Sequence, residues 1–213
     1  MEPKKNNFKI VSDKKARIIL PNAITLIGVC IGLTSIKFAI DGKFAIAIIA
    51  ILFAGLMDAL DGRIARLIKG TSKMGKELDS LGDVISFGVA PALIMYFWNL
   101  QYLEKLGWFV CLIYVICVAL RLARFNINSE EEPSWKDNFF EGVPSPAGAI
   151  LLLTPLIISL SGFDFLQLNY NIITPIFFVI TSFLLISKFP DDFFVSVVGV
   201  GYTLKFVPFI SYE

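Results

Sequence analysis

Six apolar runs, each near the length a helix needs to cross a bilayer, limit what this chain can fold into. They fall at about 18–38, 44–68, 76–99, 107–127, 146–162 and 171–188, with boundaries good to about ±4 residues. A chain of 213 residues that is 56% hydrophobic and carries 20 Phe does not suit a water-soluble domain. Its mean hydropathy is +0.73. The expected fold class is all-α: a polytopic transmembrane helical bundle with six core spans and no second folding unit. A further apolar segment at 191–210 is either a seventh span or an interfacial helix. Phe193, Phe194, Val197 and Val198 repeat there at helical spacing, and Lys205 and Pro208 interrupt its end. Short hydrophilic connections predict an up-and-down order.

Loop charge orients the bundle. The first 17 residues hold Lys4, Lys5, Lys9, Lys14, Lys15 and Arg17 and no cleavable leader is visible. They read as a cytoplasmic basic arm that either lies on anionic head groups or only sets topology. Arg63, Arg66, Lys69, Lys73 and Lys76 cluster in the next inward-facing stretch, 63–76. The short loops at 38–43 and 100–106 are outside, the mixed-charge loop at 128–143 is inside, and Lys188 returns inside. The acidic run Glu130 to Glu132 solvates that inner loop. The domain division expected is a basic arm at 1–17, a transmembrane domain at 18–188 and a C-terminal apolar segment at 189–213. The chain is expected in the cell membrane, with its polar chemistry facing the cytoplasm.

Several functions fall away on composition. The chain has no His, which removes His-based triads, His general bases and His metal ligands. Cys30, Cys111 and Cys117 lie in apolar runs and read as small hydrophobes, with no CxxC among them. Any metal must then be held by oxygen, which points to Mg²⁺, Mn²⁺ or Ca²⁺. A net charge of +1 gives no field that would draw nucleic acid.

Carboxylates supply the oxygen. Asp58 and Asp61 sit three apart at the end of the second run, on one helical face. Asp79 and Asp83 sit four apart at the start of the third, with Gly75 on the same stripe. A turn at Lys69 to Met74 predicts that the two helices are antiparallel neighbours whose carboxylates converge near the cytoplasmic surface. Four such groups in a low dielectric repel one another strongly. Two divalent cations would resolve that, and such a pair also clamps phosphate oxygens in an in-line displacement. Gly62 and Gly75 would let a bulky ligand approach the backbone, Ala65 keeps that face low, and Arg66 can neutralise phosphate. On spacing alone, an ion-coupled transporter, a proton relay or packing against Arg also accounts for intramembrane Asp residues.

The whole run, D-x-x-D-G-x-x-A-R-x8-G-x-x-x-D-x-x-x-D from Asp58 to Asp83, resembles the signature of the CDP-alcohol phosphotransferases at every position. The resemblance implies a helical membrane enzyme, a homodimer, that moves a phosphatidyl-type group from a CDP-linked lipid onto an alcohol and releases CMP. It implies two divalent cations, Mg²⁺ or Mn²⁺, held by Asp58, Asp61, Asp79 and Asp83, with Asp83 also the general base. Asn22, Thr25, Gly62, Ala65, Arg66, Ser72 and Gly75 would then bind the nucleotide of the CDP-lipid.

Three further stretches are similar to the membrane-embedded phosphatidylserine synthase branch of that family, including archaeal members that use CDP-archaeol. They are Pro21-Asn22-Ala23-Ile24-Thr25, Arg121-Leu122-Ala123-Arg124-Phe125-Asn126 and Glu141-Gly142-Val143-Pro144-Ser145-Pro146-Ala147. The implied acceptor is L-serine. Arg121 and Arg124 share a helical face three residues apart, and a guanidinium binds a carboxylate bidentately. Asn126 joins them as an acceptor-binding candidate. The competing readings are that the arginines snorkel to head groups or pair with the aspartates. Glycerol phosphate or inositol phosphate as acceptor stays open, as does a cation-coupled transporter, whose mark would be broken helices or inverted repeats.

Overall fold

The computed structural model describes residues 14–68, 72–128, 143–162 and 169–187. Expectations for residues 1–13, for 69–71 of the turn between the aspartate pairs, for the loop 129–142 and for 188–213 lie outside the described residues. All described elements are helical: α1 (Lys14–Ile40), α2 (Phe44–Leu67), α3 (Lys73–Asp83), a π-helical turn (Val84–Val89), α4 (Ala90–Trp98), a short 3₁₀ turn (Leu100–Leu103), α5 (Glu104–Asn128), α6 (Ser145–Leu160) and α7 (Tyr170–Ile186).

Four stretches are long and apolar enough to cross a membrane: Ile19–Ile40, Phe44–Leu67, Met74–Trp98 and Leu100–Ile127. α6 and α7 are apolar but shorter, 16 and 17 residues. At 1.5 Å per residue they rise about 24–26 Å, below the ~30 Å hydrocarbon thickness. The chain is therefore an integral membrane protein, helical throughout its described elements, with four long apolar helices and two shorter ones at the places expected for the fifth and sixth spans. Helix α1 is described from Lys14, so the last residues of the basic arm are helical, and its apolar stretch begins at Ile19, close to the expected 18.

The α1–α2 hairpin turns tightly because Gly42 adopts φ +75 and ends α1. The Gly42 amide donates to the Ala39 carbonyl and the Lys43 amide to Phe38, which satisfies the last helical carbonyls. Along α2 the buried stripe runs Ala47, Ile48, Ile51, Ala54 and then Asp61. The face that packs inside the bundle thus changes from methyl groups to a carboxylate as the helix ends.

Helix α1 is the main neighbour of α2, and it also packs along α3, the π turn and α4. The second and third spans are neighbours, as the short turn suggested, but they meet through the π turn and α4, while α3 itself leans on α1. The reason is small residues on α1. A side chain at Gly32 would strike Ser86, with Oγ 2.7 Å away, and one at Gly28 would touch Met57. Gly28 and Gly32 form a G-x-x-x-G step, which lets helix backbones approach in a membrane. α4, α5, α6 and α7 complete the bundle around a core of Tyr114, Phe178, Ile94, Met95, Leu152 and Leu156. Ile49, Phe53, Phe109, Val179 and Phe183 are exposed on the outer faces, where lipid would solvate them.

Candidate active site

The second aspartate pair reaches the first because α3 is started firmly and held against α1. Ser72 caps α3, its Oγ accepting from the Gly75 amide at 3.0 Å. A side chain at Gly75 would meet Asn22 Oδ1 at 2.8 Å and Ser72 Oγ at 3.1 Å. Gly75 therefore lets α3 close on Asn22 of α1, and the space beside it is filled by protein. A side chain at Gly82 would likewise press on Val29 and Thr25 of α1. Small residues along α1 and α3 thus bring α3 close enough for its carboxylates to face those of α2.

One ligand oxygen from each of Asp58, Asp61 and Asp79 lies within 4.8 Å of the others. Asp83 stands beside this trio, its carboxyl against that of Asp58. Its Oδ1 is buried and has no hydrogen-bond partner among the described residues. Asp61 is 3% exposed and is oriented by the Thr25 hydroxyl, which donates to its Oδ2 at 2.6 Å. The four aspartates line one pocket with Thr25, Gly28, Val29, Ala54, Gly82, Ser86 and Phe87.

That donor set fits a divalent cation. Every candidate ligand is a carboxylate oxygen, which suits hard cations. Three of them already converge, and Asp83 adds a fourth carboxyl beside them. Thr25 occupies the place of an outer-shell partner, its bond to Oδ2 holding the Asp61 carboxylate in one orientation. Replacing Thr25 with Val should keep the shape and remove that bond. We expect Mn²⁺ affinity to fall about 10- to 100-fold, read by calorimetric or electron paramagnetic titration. Unchanged affinity would mean that the bond does not orient the ligand.

The other sequence candidates separate. Among the described residues, Gly62 has open space beside it, and a side chain there would meet no atom within 4 Å. Arg66 is exposed and its Nε donates back to the Gly62 carbonyl at 3.1 Å. Gly62, Ala65 and Arg66 lie further along α2 and do not line the aspartate pocket itself. They form an open face beyond it. Asn22, Ser72 and Gly75 form an internal contact between α1 and the start of α3. Thr25 alone of that group reaches the pocket.

The acceptor candidates also diverge. Arg121 Nη1 donates to Ser145 Oγ at 2.9 Å, and its charge lies in electrostatic range of Asp83. Arg124 is exposed and its Nη1 donates to the Ile186 carbonyl at the end of α7, 3.2 Å away. Asn126 Nδ2 donates to Ser80 Oγ on α3 at 2.8 Å. Of the three, only Arg121 is brought to the aspartates. Sequence reasoning missed Gly28, Gly82, Ser86 and Phe87 as pocket walls. The G-x-x-x-G step on α1 was the readable signal for the first.

Together, the fold and the site define an integral membrane protein whose cluster of aspartates, at the meeting of three helices, could hold a cation. Residues 18–188 match the family model for CDP-alcohol phosphatidyltransferase, and the chain belongs to that family. It is 45% identical over 139 residues to a CDP-diacylglycerol–serine O-phosphatidyltransferase of Mycobacterium tuberculosis, covering 63% of this chain and 48% of that protein. A protein of the same name from Methanocaldococcus jannaschii is 34% identical over 196 residues, covering 89% of this chain and 84% of that one. An archaetidylserine synthase of Methanothermobacter thermautotrophicus is 37% identical over 150 residues, covering 67% of this chain and 60% of that protein. The match thus spans about half the length of the mycobacterial relative, 48% of it.

Proposed function

We propose that this chain transfers the phosphatidyl or archaetidyl group of a CDP-linked lipid to the hydroxyl of L-serine and releases CMP. The observation that carries this reading is the convergence of Asp58, Asp61 and Asp79 beside Asp83, with Arg121 at hand. The names of the relatives support serine over glycerol phosphate or inositol phosphate.

Six crossings in the active chain would put the aspartate end at the cytoplasmic face, in line with the Lys and Arg flanking Asp61 and Asp79. The lipid tails would stay in the bilayer while the headgroup enters the pocket from the side. Asp58, Asp61 and Asp79, with Asp83 beside them, would hold a pair of divalent cations, Mg²⁺ or Mn²⁺. Such cations supply neutralisation of the pyrophosphate and of the charge that grows on the leaving phosphate. Arg121 would take the serine carboxylate and turn the hydroxyl toward Asp83. The hydroxyl oxygen attacks the lipid-side phosphorus and its proton passes to Asp83 Oδ1. The bond from that phosphorus to the bridging oxygen breaks, and the electron pair leaves with CMP. Arg66, on the open face beyond the pocket, would meet the departing nucleotide.

The test is CMP release by purified protein in detergent with CDP-diacylglycerol or CDP-archaeol and Mg²⁺ or Mn²⁺. Serine should support release, while glycerol phosphate and inositol phosphate should not. Excess EDTA should abolish it, and either metal should restore it. Full turnover in chelator would sink the metal assignment. Equal release with all three acceptors would sink the serine assignment.

A further inference from the structure

The long third span is not one regular helix. Directly after Asp83 it widens into the π turn Val84–Val89, where the Ala90 amide reaches back to the Ile85 carbonyl. A π turn accommodates an additional residue. It therefore rotates the helix before it by about 100° relative to the helix after it. Here the helix before it carries Asp79 and Asp83, and the helix after it is anchored in the core through Ala90, Ala92, Ile94 and Met95.

The cause is legible in the residues. In a regular helix the Phe87 carbonyl would accept from the amide of residue 91, but residue 91 is proline. Pro91 has no N–H, and its ring crowds the carbonyl four residues earlier. That carbonyl lies in the bundle interior, where an unmet acceptor is costly. Tyr114 of α5 meets it: its hydroxyl donates to the Phe87 carbonyl at 3.0 Å, and its side chain is wholly buried. Phe178 of α7 backs the tyrosine ring edge-on, with centroids 5.8 Å apart. The Phe87 ring itself forms part of the pocket wall. Nothing in the proposed chemistry uses Tyr114, which does not line the pocket.

We infer that Tyr114 is a positioning residue: with Pro91, its hydroxyl holds the π turn that sets the rotational phase of Asp79 and Asp83 against Asp58 and Asp61. The turnover part of its test rests on the reading above, whereas the metal-binding part does not.

Two variants of the full chain in detergent test it. Tyr114→Phe keeps the ring and its contact with Phe178 but deletes the donor. Pro91→Ala returns an amide to the Phe87 carbonyl and removes the reason for the wide turn. Both should weaken Mn²⁺ binding, followed by electron paramagnetic titration, about 10-fold or more. Both should lower kcat by a similar factor with little change in KM for serine. Pro91→Ala should hold or raise Tm, because it restores a helical hydrogen bond. A merely structural role predicts the reverse pattern, in which Tm moves and Mn²⁺ affinity does not. Mn²⁺ affinity and kcat within about twofold of wild type in both variants would overturn the inference. If Tyr114→Phe does not accumulate as folded protein, Pro91→Ala decides alone. Absence of CMP release from every form would remove the functional reading, while the Mn²⁺ comparison would still judge the positioning. Wild-type protein that binds no Mn²⁺ would overturn both.

Discussion

Asp83→Asn should reduce kcat by about 10²- to 10⁴-fold, the range that general base catalysis supplies, while CDP-lipid still binds. The substitution keeps the size of the side chain and one oxygen, and removes the proton acceptor. Asp83 suits this role because it stands beside the three-carboxylate cluster instead of inside it. A carboxylate whose both oxygens are taken by cations is a weak base. Asp83 has one buried oxygen, Oδ1, with no hydrogen-bond partner among the described residues. Asp58→Asn and Asp61→Asn should behave differently. They remove charge from the cluster itself, so they should first raise the metal concentration needed for half-maximal turnover. The measurement is CMP release against metal concentration at saturating CDP-lipid and serine. An Asp83→Asn protein that matches wild-type kcat at saturating metal would end the base assignment.

The carboxylates were legible in the sequence because their spacing is a property of single helices. Three and four residues place a pair on one face whatever surrounds it. Their convergence was legible too, but its cause was not. A short turn suggested that α2 and α3 pack directly. The structure pairs α2 with the π turn and α4 of the third span and leans α3 on α1, through Gly28, Gly32, Gly75 and Gly82. Glycine in a signature reads equally as room for a ligand or room for a helix. Gly62 has open space beside it, and Gly75 has Asn22. Only coordinates separate those two. Thr25 shows the same ambiguity, since a hydroxyl that could face a nucleotide instead orients Asp61. The π turn was hidden for another reason. Periodicity over Met74–Trp98 is that of a buried span, and hydropathy does not register one surplus residue. Pro91 was the only mark it left, and its consequence depends on Tyr114, 23 positions later.

Arg121→Ala should lower kcat/KM for serine about 30- to 1000-fold, and Arg124→Ala should leave it within about threefold. The two looked equivalent in sequence, three apart on one helical face. A step of three residues offsets them by about 60° around the axis. Long side chains then carry that offset to different partners. Arg121 turns inward to Ser145 on α6, within electrostatic range of Asp83. Arg124 turns outward and binds the Ile186 carbonyl at the end of α7. A cation there satisfies an orphan carbonyl and the helix dipole, worth about 0.3–1 kcal/mol. Arg124→Ala should therefore lower Tm slightly and leave the acceptor alone. In the proposed reading Arg121 gives the serine carboxylate a charge-assisted contact, whose loss would cost about 2–4 kcal/mol. At 1.4 kcal/mol per tenfold, that is the fold-change stated. Apparent affinity for the CDP-lipid should change little in either variant. Serinamide lacks the carboxylate, so it should be a poor acceptor for wild type and nearly indifferent to Arg121→Ala. Equal losses for serine in the two variants, at unchanged Tm, would show that the outward and inward arginines read the acceptor together and that the division drawn from their partners is wrong.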